Sequence, residues 1–432
     1  MKIAWVTPFS QRSAIGRVSA TVTAALSQRG HQIAIIRSES ARDNITQTHQ
    51  TMLPVYWWQD INIQDIESQY DVIVLNVGDN YSFHAGVFAF VDRSVCLGIF
   101  HDFYIYNLFH QWIVLNEFGR DIYDQEIRQT YGNSSLSLAG AAWRNEAQLQ
   151  DLADSLPMTE WIASRCGAAL AHSRFYLPRL EAACPGPVNV APLPFDSRDV
   201  PPLFHRNRDE IVLLTVGVMN PNKCVAEVIK AICATPLLRE RCRYRLAGIV
   251  SDSERARLAS IASEGGFTKL DILGEIEDAN LTKELANSDA VICLRKPVLE
   301  GASASAIEAM KSGRPVVVAN AGFYRELPDE LVFKVPPPVE EAAIAELLEQ
   351  LAKDESLRVD SGRKARAWAC DTFAAERYAA AFEALARDFI RAKPVLSLAR
   401  RVGHELATLW VRAEDPGVAS LSDKMRNLFG TE

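Results

Sequence analysis

The sequence predicts an α/β protein made of two doubly wound parallel sheets in tandem, one in each half of the chain. Three observations predict it. Short apolar runs rich in β-branched residues recur in both halves, each followed by a turn and a stretch with helical periodicity. The series is interrupted over residues 196–208, where Pro201-Pro202 and several charges mark an inter-domain hinge. The chain has 432 residues, 48% apolar and 23% charged, which is too long for one ordinary core and suited to two.

The first unit, residues 1–195, opens with the strand run Lys2 to Thr7, a loop through Gly16, a helical stretch from Val18 to Gln28, and a second strand from Gln32 to Arg37. Apolar runs at Val72 to Leu75 and Val95 to Phe100 extend this β-α-β pattern. Residues from about 103 to 165 are aromatic-rich with helical spacing, which predicts a helical insert before the next strand, Ala168 to Ala171. The second unit, residues 209–373, carries strand runs at Ile211 to Gly217, Arg243 to Gly248, Leu270 to Gly274, Ala290 to Leu294 and Pro315 to Val318. Helical segments follow at Glu340 to Lys353 and Ser361 to Arg391, and residues 374–432 form a final helix and tail.

Composition excludes several classes. A net charge of −8 does not supply the basic face that nucleic-acid binding needs, so no nucleic-acid partner is expected. No apolar run is long enough to span a bilayer and the N-terminus enters a strand directly, so a cytoplasmic protein is expected. The eight cysteines lack Cys-x-x-Cys spacing, which predicts reduced thiols and no zinc site. A dehydrogenase is disfavoured because Gly-x-Gly-x-x-Gly is absent, and no Asp-x-Asp pair is present to hold a cation against a diphosphate.

The residues that carry chemistry lie mostly in the second unit. After the strand ending at Leu294 comes a small-residue loop and a helix opening near Ser303: Leu299-Glu300-Gly301-Ala302-Ser303-Ala304-Ser305-Ala306-Ile307-Glu308. Free N–H groups and the positive end of the helix would there face one space, a geometry suited to a diphosphate. Glu300 on the loop and Glu308 inside the helix would grip hydroxyls at opposite ends of an extended ligand. The competing reading is a serine helix cap with two solvated glutamates. A second segment, Val216-Gly217-Val218-Met219-Asn220-Pro221-Asn222-Lys223, runs from strand to turn to helix, so that Lys223 either reaches over the strand ends to the diphosphate or is a surface charge.

Together these segments resemble the nucleotide-sugar domain of retaining glycosyltransferases of family 4, which have the GT-B fold. The resemblance covers the chain to about residue 390. It implies two Rossmann-like domains facing across a cleft, with a C-terminal helix from about residue 374 crossing back to the first. Glu300 and Glu308 match the family's Glu-x7-Glu pattern, Lys223 its phosphate lysine, and Gly313, Pro315, Val316 and Val317 its strand lead. The resemblance places Glu300 at the donor sugar and Glu308 at the ribose, and Asn222, Gly301, Ser303, Ser305 and Ile307 are further candidates for binding the nucleotide-sugar. It places the base against backbone near Ile276. The family's arginine shortly after the strand glycine is missing, and Arg295 either replaces it or forms a structural ion pair. In the first unit, Phe100-His101-Asp102 resembles the family's His-Asp pair, in which the histidine meets the donor sugar. The Gly16 loop resembles its glycine loop, and His172-Ser173 is read as a packing or turn element.

The implied reaction is metal- and cofactor-independent transfer, with retention, of a hexose or deoxyhexose from a GDP-, UDP- or dTDP-sugar to a glycan or lipid-linked acceptor. Glu300, His101 and Lys223 are the catalytic candidates. By analogy this belongs to bacterial surface polysaccharide or lipopolysaccharide synthesis. Alternatives are a phosphorylase, epimerase or hydrolase of the same fold, and a silent partner that binds nucleotide-sugar or glycan. The tail over 393–432 has an amphipathic run from Val395 to Trp410 that packs on the protein, docks a partner or touches an anionic membrane surface.

Overall fold

In the computed structural model the described residues are 1–41, 47–196, 200, 201, 203, 209–409, 415, 417 and 418. Much of the expected hinge and the end of the tail, including Trp410, lie outside them. Seven parallel strands form the first sheet: β1 (Lys2–Thr7), β2 (Gln32–Arg37), β3 (Val55–Trp57), β4 (Val72–Val77), β5 (Leu97–Phe100), β6 (Ala168–Ala171) and β7 (Val188–Val190). They lie side by side in the order β3-β2-β1-β4-β5-β6-β7. The second sheet has six, β8 (Ile211–Val216), β9 (Cys242–Ala247), β10 (Leu270–Gly274), β11 (Ala290–Cys293), β12 (Val316–Ala319) and β13 (Phe333–Val335), in the order β10-β9-β8-β11-β12-β13.

Each order reverses once, between β1 and β4 and between β8 and β11. The loops leaving those strands diverge and open a crevice at the carboxyl edge of the sheet. The central strands are apolar throughout because helices cover both faces; β4 and β11 are buried along their whole length. These are the two Rossmann-like sheets of a GT-B protein, and their crevices face one another.

The expected helical insert is present as five helices, Tyr106–Leu115, Gly119–Tyr131, Leu136–Trp143, Leu149–Ser155 and Thr159–Ala163. Its aromatics pack together: the rings of Phe109 and Trp161 lie 4.8 Å apart, and those of Trp112 and Trp161 5.2 Å. Three expectations need adjustment. The first helix begins at Ala14, capped by the Ser13 hydroxyl, so Gly16 sits in its first turn and not in a loop. The edge strands β3, β7 and β13, three residues each, were not anticipated. The helical run expected over Ser361 to Arg391 is two helices, Glu355–Thr372 and Ala375–Thr408, and the break at Phe373 and Ala374 coincides with the expected start of the C-terminal helix near residue 374. The break is held by Lys311, whose ammonium donates to the carbonyls of Phe195 (2.5 Å) and Phe373 (3.1 Å).

Helix Ala375–Thr408 runs back over the first sheet. Tyr378, Phe382, Leu385 and Phe389 are buried there, each contributing about 1.5–3 kcal/mol of transfer free energy, and Phe382 lies 5.4 Å from Trp5 of β1. Glu383 fastens the contact. Its carboxylate accepts from Arg29 Nε (2.7 Å), Arg29 Nη2 (2.8 Å) and His31 Nε2 (2.8 Å). Of the amphipathic run, the described part packs as far as Arg400, which donates to the Ser94 and Val91 carbonyls. No helix among the described residues is long and apolar enough to cross a membrane.

Candidate active site

The two crevices close on one another. Asp102, just past β5, and Glu300, in the loop after β11, pair as an antiparallel backbone bridge across the divide. Gly301 N–H donates to the His101 carbonyl at 2.8 Å, and the N–H groups of Phe103 and Tyr104 both donate to the Leu299 carbonyl at 2.9 Å. The Ser173 hydroxyl donates to the Gly301 carbonyl, and Phe175 N–H to Glu326 Oε1 (2.8 Å). Gly301 is required by this approach: a Cβ there would lie 2.9 Å from the His101 carbonyl oxygen and 2.6 Å from the Tyr176 hydroxyl.

Between the halves lies a cavity of about 490 Å³, lined from the first half by the start of helix Ala14–Gln28, His101 and Asp102, and from the second by Lys223, Arg295, Glu300, Ser303, Ser305 and Glu308. A hollow of about 590 Å³ on the other side of Arg295 is walled mainly by apolar side chains such as Phe103, Phe175, Pro297 and Val298. It is the larger of the two and also carries Arg179 and Lys296, but Lys223, the start of helix Ala304–Lys311 and the carboxylates of Asp102, Glu300 and Glu308 meet in the first, and the site is placed there.

Lys223 ends a 3-10 turn, Pro221–Lys223, that returns it to the end of β8, where its ammonium donates to the Val216 carbonyl. Gly217 makes room: its φ is 102°, and a Cβ would lie 2.6 Å from the Lys223 Nζ. The ammonium faces no carboxylate at ion-pair distance among the described residues. Burial, and next the Arg295 cation, lowers it to about 7. Across the cavity, helix Ala304–Lys311 is capped by Ser303, whose hydroxyl accepts from Ala306 N–H. Its first-turn N–H groups have no carbonyl one turn back to bond to, so they present partial positive charge to the cavity.

Glu300 is held rigidly. Its Oε1 accepts from Arg295 Nε at 2.9 Å and from the Tyr324 hydroxyl at 2.7 Å. Burial alone would raise the carboxyl, but Arg295 and Tyr324 outweigh it and keep it below its usual value. Arg295 thus makes the ion pair, while also lining the cavity. Asp102 differs. Its Oδ2 accepts the Asp79 N–H at 2.9 Å, and no cation pairs with it among the described residues. Burial pushes it up to about 7, with Glu300 adding to the rise and the Asp79 N–H opposing it. Sequence reasoning placed it in the His-Asp pair but gave it no role of its own, reserving that for His101.

His101 lies in the wall, but both its ring nitrogens are engaged inside the first half. Nε2 faces Asn76 Oδ1 at 2.9 Å, and Nδ1 faces His172 Nε2 at 3.1 Å. Asn76 is oriented by its own donation to the Val6 carbonyl, and His172 Nδ1 faces the Ala191 carbonyl. The outer partners, Asn76 Oδ1 and the Ala191 carbonyl, are acceptors, and the facing Nδ1 and Nε2 of the two rings lie within hydrogen-bond distance of each other. Burial foremost, then the neighbouring histidines, holds His101 well below the usual histidine range. Neither nitrogen is aimed at a ligand, and His172 is a partner of His101 as well as a packing element.

The other candidates divide. Ser303, Ser305 and Glu308 line the cavity. Ile307 is fully buried in the core, and Gly16 packs beneath the Pro8 carbonyl and His49. Asn222 supplies its carbonyl to Lys296 N–H at 2.8 Å, and Ile276 packs against the core; neither side chain is among those lining the cavity.

Residues 201–368 match the family model described as glycosyl transferases group 1. Solved structures share the fold over nearly the whole chain. Sucrose-phosphate synthase from Thermosynechococcus elongatus is 14% identical over 91% of this chain and 100% of its own, with a TM-score of 0.63. HepE from Anabaena in complex with UDP is 16% identical over 89% and 98%, with a TM-score of 0.59. WaaG, a glycosyltransferase involved in lipopolysaccharide biosynthesis, is 14% identical over 89% and 99%, with a TM-score of 0.53. No curated protein sequence matches the chain.

Proposed function

We propose that this chain is a glycosyltransferase that binds a nucleoside diphosphate sugar in the interdomain cavity and transfers the sugar, with retention, to a hydroxyl-bearing acceptor. One observation carries the reading: the buried ammonium of Lys223, with no carboxylate at ion-pair distance among the described residues, lines the same interdomain cavity as the amide-rich start of helix Ala304–Lys311 and the carboxylates of Glu300 and Glu308. The match of residues 201–368 to group 1 glycosyl transferases and the fold shared with HepE, solved with UDP, support it.

The diphosphate lies between Lys223 and the N–H groups beside Ser303 and Ser305, so that charge developing on the leaving group meets donors already in place. Glu308 takes the ribose. Glu300, fixed by Arg295 and Tyr324, holds hydroxyls of the donor sugar and stabilises positive charge at its anomeric carbon. The anomeric carbon–oxygen bond breaks with its electron pair leaving on the diphosphate, and the acceptor oxygen bonds to the same face. His101 shapes the wall and, through its carbonyl, holds Gly301. The backbone bonds across the divide keep water from the donor. No metal or cofactor enters this scheme, and EDTA is expected to leave turnover unchanged. Donors of the GDP, UDP and dTDP series, glycan or lipid-linked acceptors, and a role in bacterial surface polysaccharide synthesis remain within the proposal.

A thermal-shift series with UDP, GDP and dTDP tests binding, since a ligand held by the folded state raises its melting temperature. Glu300→Gln should still bind the nucleotide while sugar transfer falls by about 100-fold or more. Transfer at the wild-type rate in that variant removes Glu300 from the reaction.

A further inference from the structure

The scheme leaves open where the proton of the attacking hydroxyl goes. We infer that Asp102 takes it, from an acceptor seated in a second hollow that opens onto the donor cavity. The inference rests on the transfer reading above and adds a residue and a role to it.

The position comes first. Beside the donor cavity lies a hollow of about 600 Å³, lined mainly from the first half by Arg12, Asp79, Asn107, Gln111 and Asp102 among others, with Val218 of the second half at its edge. Asp102 also lines the donor cavity, and it is the one carboxylate that the two linings share. It also pairs through its backbone with Glu300, the residue set against the donor sugar. A hydroxyl lying between hollow and donor therefore passes this side chain.

The state of the neighbouring carboxylates separates Asp102 from them. Asp79 is spent on structure, accepting from Asn107 N–H (2.8 Å), Leu108 N–H (3.2 Å) and Asn107 Nδ2 (2.5 Å) at the start of helix Tyr106–Leu115. Glu300 is spent on Arg295 and Tyr324. Asp102 Oδ2 is turned back over Gly78 and fixed by the Asp79 N–H, but Oδ1 accepts no bond from the described residues. One oxygen anchors the group while the other stays open to the cavities, as a proton acceptor for an incoming hydroxyl requires.

The surrounding charges make it a better base than an ordinary carboxylate. Glu300 faces it from the second half, with Arg295 committed to Glu300. Asp79 and His84 face it from the segment after β4, and His84 is itself held near 4 by burial. Tyr176 lies beneath, its hydroxyl donating to the Phe100 carbonyl. His101 and His172 stand behind it, and Arg12 lies across the hollow. Burial and Glu300 raise its proton affinity toward neutrality.

The step balances. The acceptor O–H bond breaks with its proton passing to Asp102 Oδ1, and the acceptor oxygen bonds to the anomeric carbon. The bond from that carbon to the diphosphate oxygen breaks, its electron pair leaving with the nucleoside diphosphate beside Lys223.

The test uses the full chain with UDP-glucose, GDP-mannose and dTDP-glucose and a panel of sugar acceptors, reading release of nucleoside diphosphate from pH 5.5 to 9. Wild type should show kcat rising about tenfold per pH unit below pH 7 and then levelling. Asp102→Asn should lose this acidic limb and fall roughly 10²–10⁴-fold, with the Kd for free UDP or GDP by calorimetry changed less than threefold. A wild-type profile flat from pH 5.5 to 7, a variant that keeps the limb, or a variant whose nucleotide affinity falls as far as its turnover would overturn the assignment. The wild-type profile decides even if the variant does not fold. Nucleotide binding without turnover of any donor, or no nucleotide binding at all, overturns the transfer reading and this one with it.

Discussion

Lys223 makes nucleotide binding a proton-linked event. Its ammonium is buried against the Val216 carbonyl with no carboxylate at ion-pair distance among the described residues, and sits at about 7. An arriving diphosphate supplies the missing counter-charge and should return the lysine to about 10 or above, so binding takes up a proton wherever the free protein has lost it. From pH 7.5 to 9.5 the nucleotide's phosphates are already fully ionised, with their last pKa near ~6, and the lysine is the group that changes. With a free value of 7, the protonated fraction falls roughly 75-fold across that window, and affinity should fall with it by about 2.6 kcal/mol. The sign follows from the cation being the binding form: Kd is flat below pH 7 and rises toward tenfold per unit above it. Calorimetry with UDP or GDP in two buffers of different ionisation enthalpy would read both Kd and proton uptake, which should approach one proton at pH 9. In Lys223→Met the affinity should be weaker at pH 7 and nearly independent of pH. A wild-type Kd constant from pH 7.5 to 9.5, or a slope preserved in the methionine variant, would refute the reasoning.

Two further outcomes follow from contacts away from the phosphate site. Gly301→Ala forces a Cβ against the His101 carbonyl and the Tyr176 hydroxyl, so the halves should separate. Turnover should fall at least about tenfold and the radius of gyration from solution scattering should rise, while nucleotide binding persists; unchanged scattering and turnover would count against closure through this contact. Glu383→Gln weakens the contact between helix Ala375–Thr408 and the first sheet. Hydrogen bonds from Arg29, then burial in opposition and His31, bring that carboxyl from 4.5 to about 2. Because its folded value is depressed, the stabilisation is complete above pH 4.5 and is lost as pH falls toward 2. The variant should lose about 1 kcal/mol at pH 7, allowing for solvent around Arg29, and nothing at pH 2; an equal loss at both, by denaturant unfolding, would show that packing and not charge is responsible.

The central strands were legible in the sequence for the reason that makes parallel sheets unusual: with both faces covered, β4 and β11 read as unbroken apolar runs. The edge strand β7 is only half covered and three residues long, and leaves no such trace. The helix break at Phe373 leaves no local signal because its cause is tertiary, and only the family resemblance put the start of the C-terminal helix near residue 374. Lys311, more than sixty residues earlier, takes the carbonyl that the break frees. At the site, the loop and helix from Glu300 to Glu308 carried their own evidence, since small residues, a serine cap and two carboxylates eight positions apart are local facts. Which face each residue shows was not local: Ser303, Ser305 and Glu308 line the cavity, while Ile307 turns into the core. Gly16 looked like a loop glycine, although Ser13 three residues earlier is a helix-capping signal that accounts for its true place.

The histidine and the aspartate after β5 show why a motif names a place more readily than a role. His101 is the conspicuous member, yet Asn76 and His172, drawn in from β4 and from just past β6, occupy its two nitrogens and leave it no donor or acceptor to offer a substrate. Those partners fix the ring, and the ring's own backbone carbonyl fixes Gly301. Asp102, one position further, is carried by the same strand end to the boundary between the two cavities. There its side chain is held by one oxygen only, so the rigidity created by the histidine pair is delivered to a carboxylate that still has a free atom to work with.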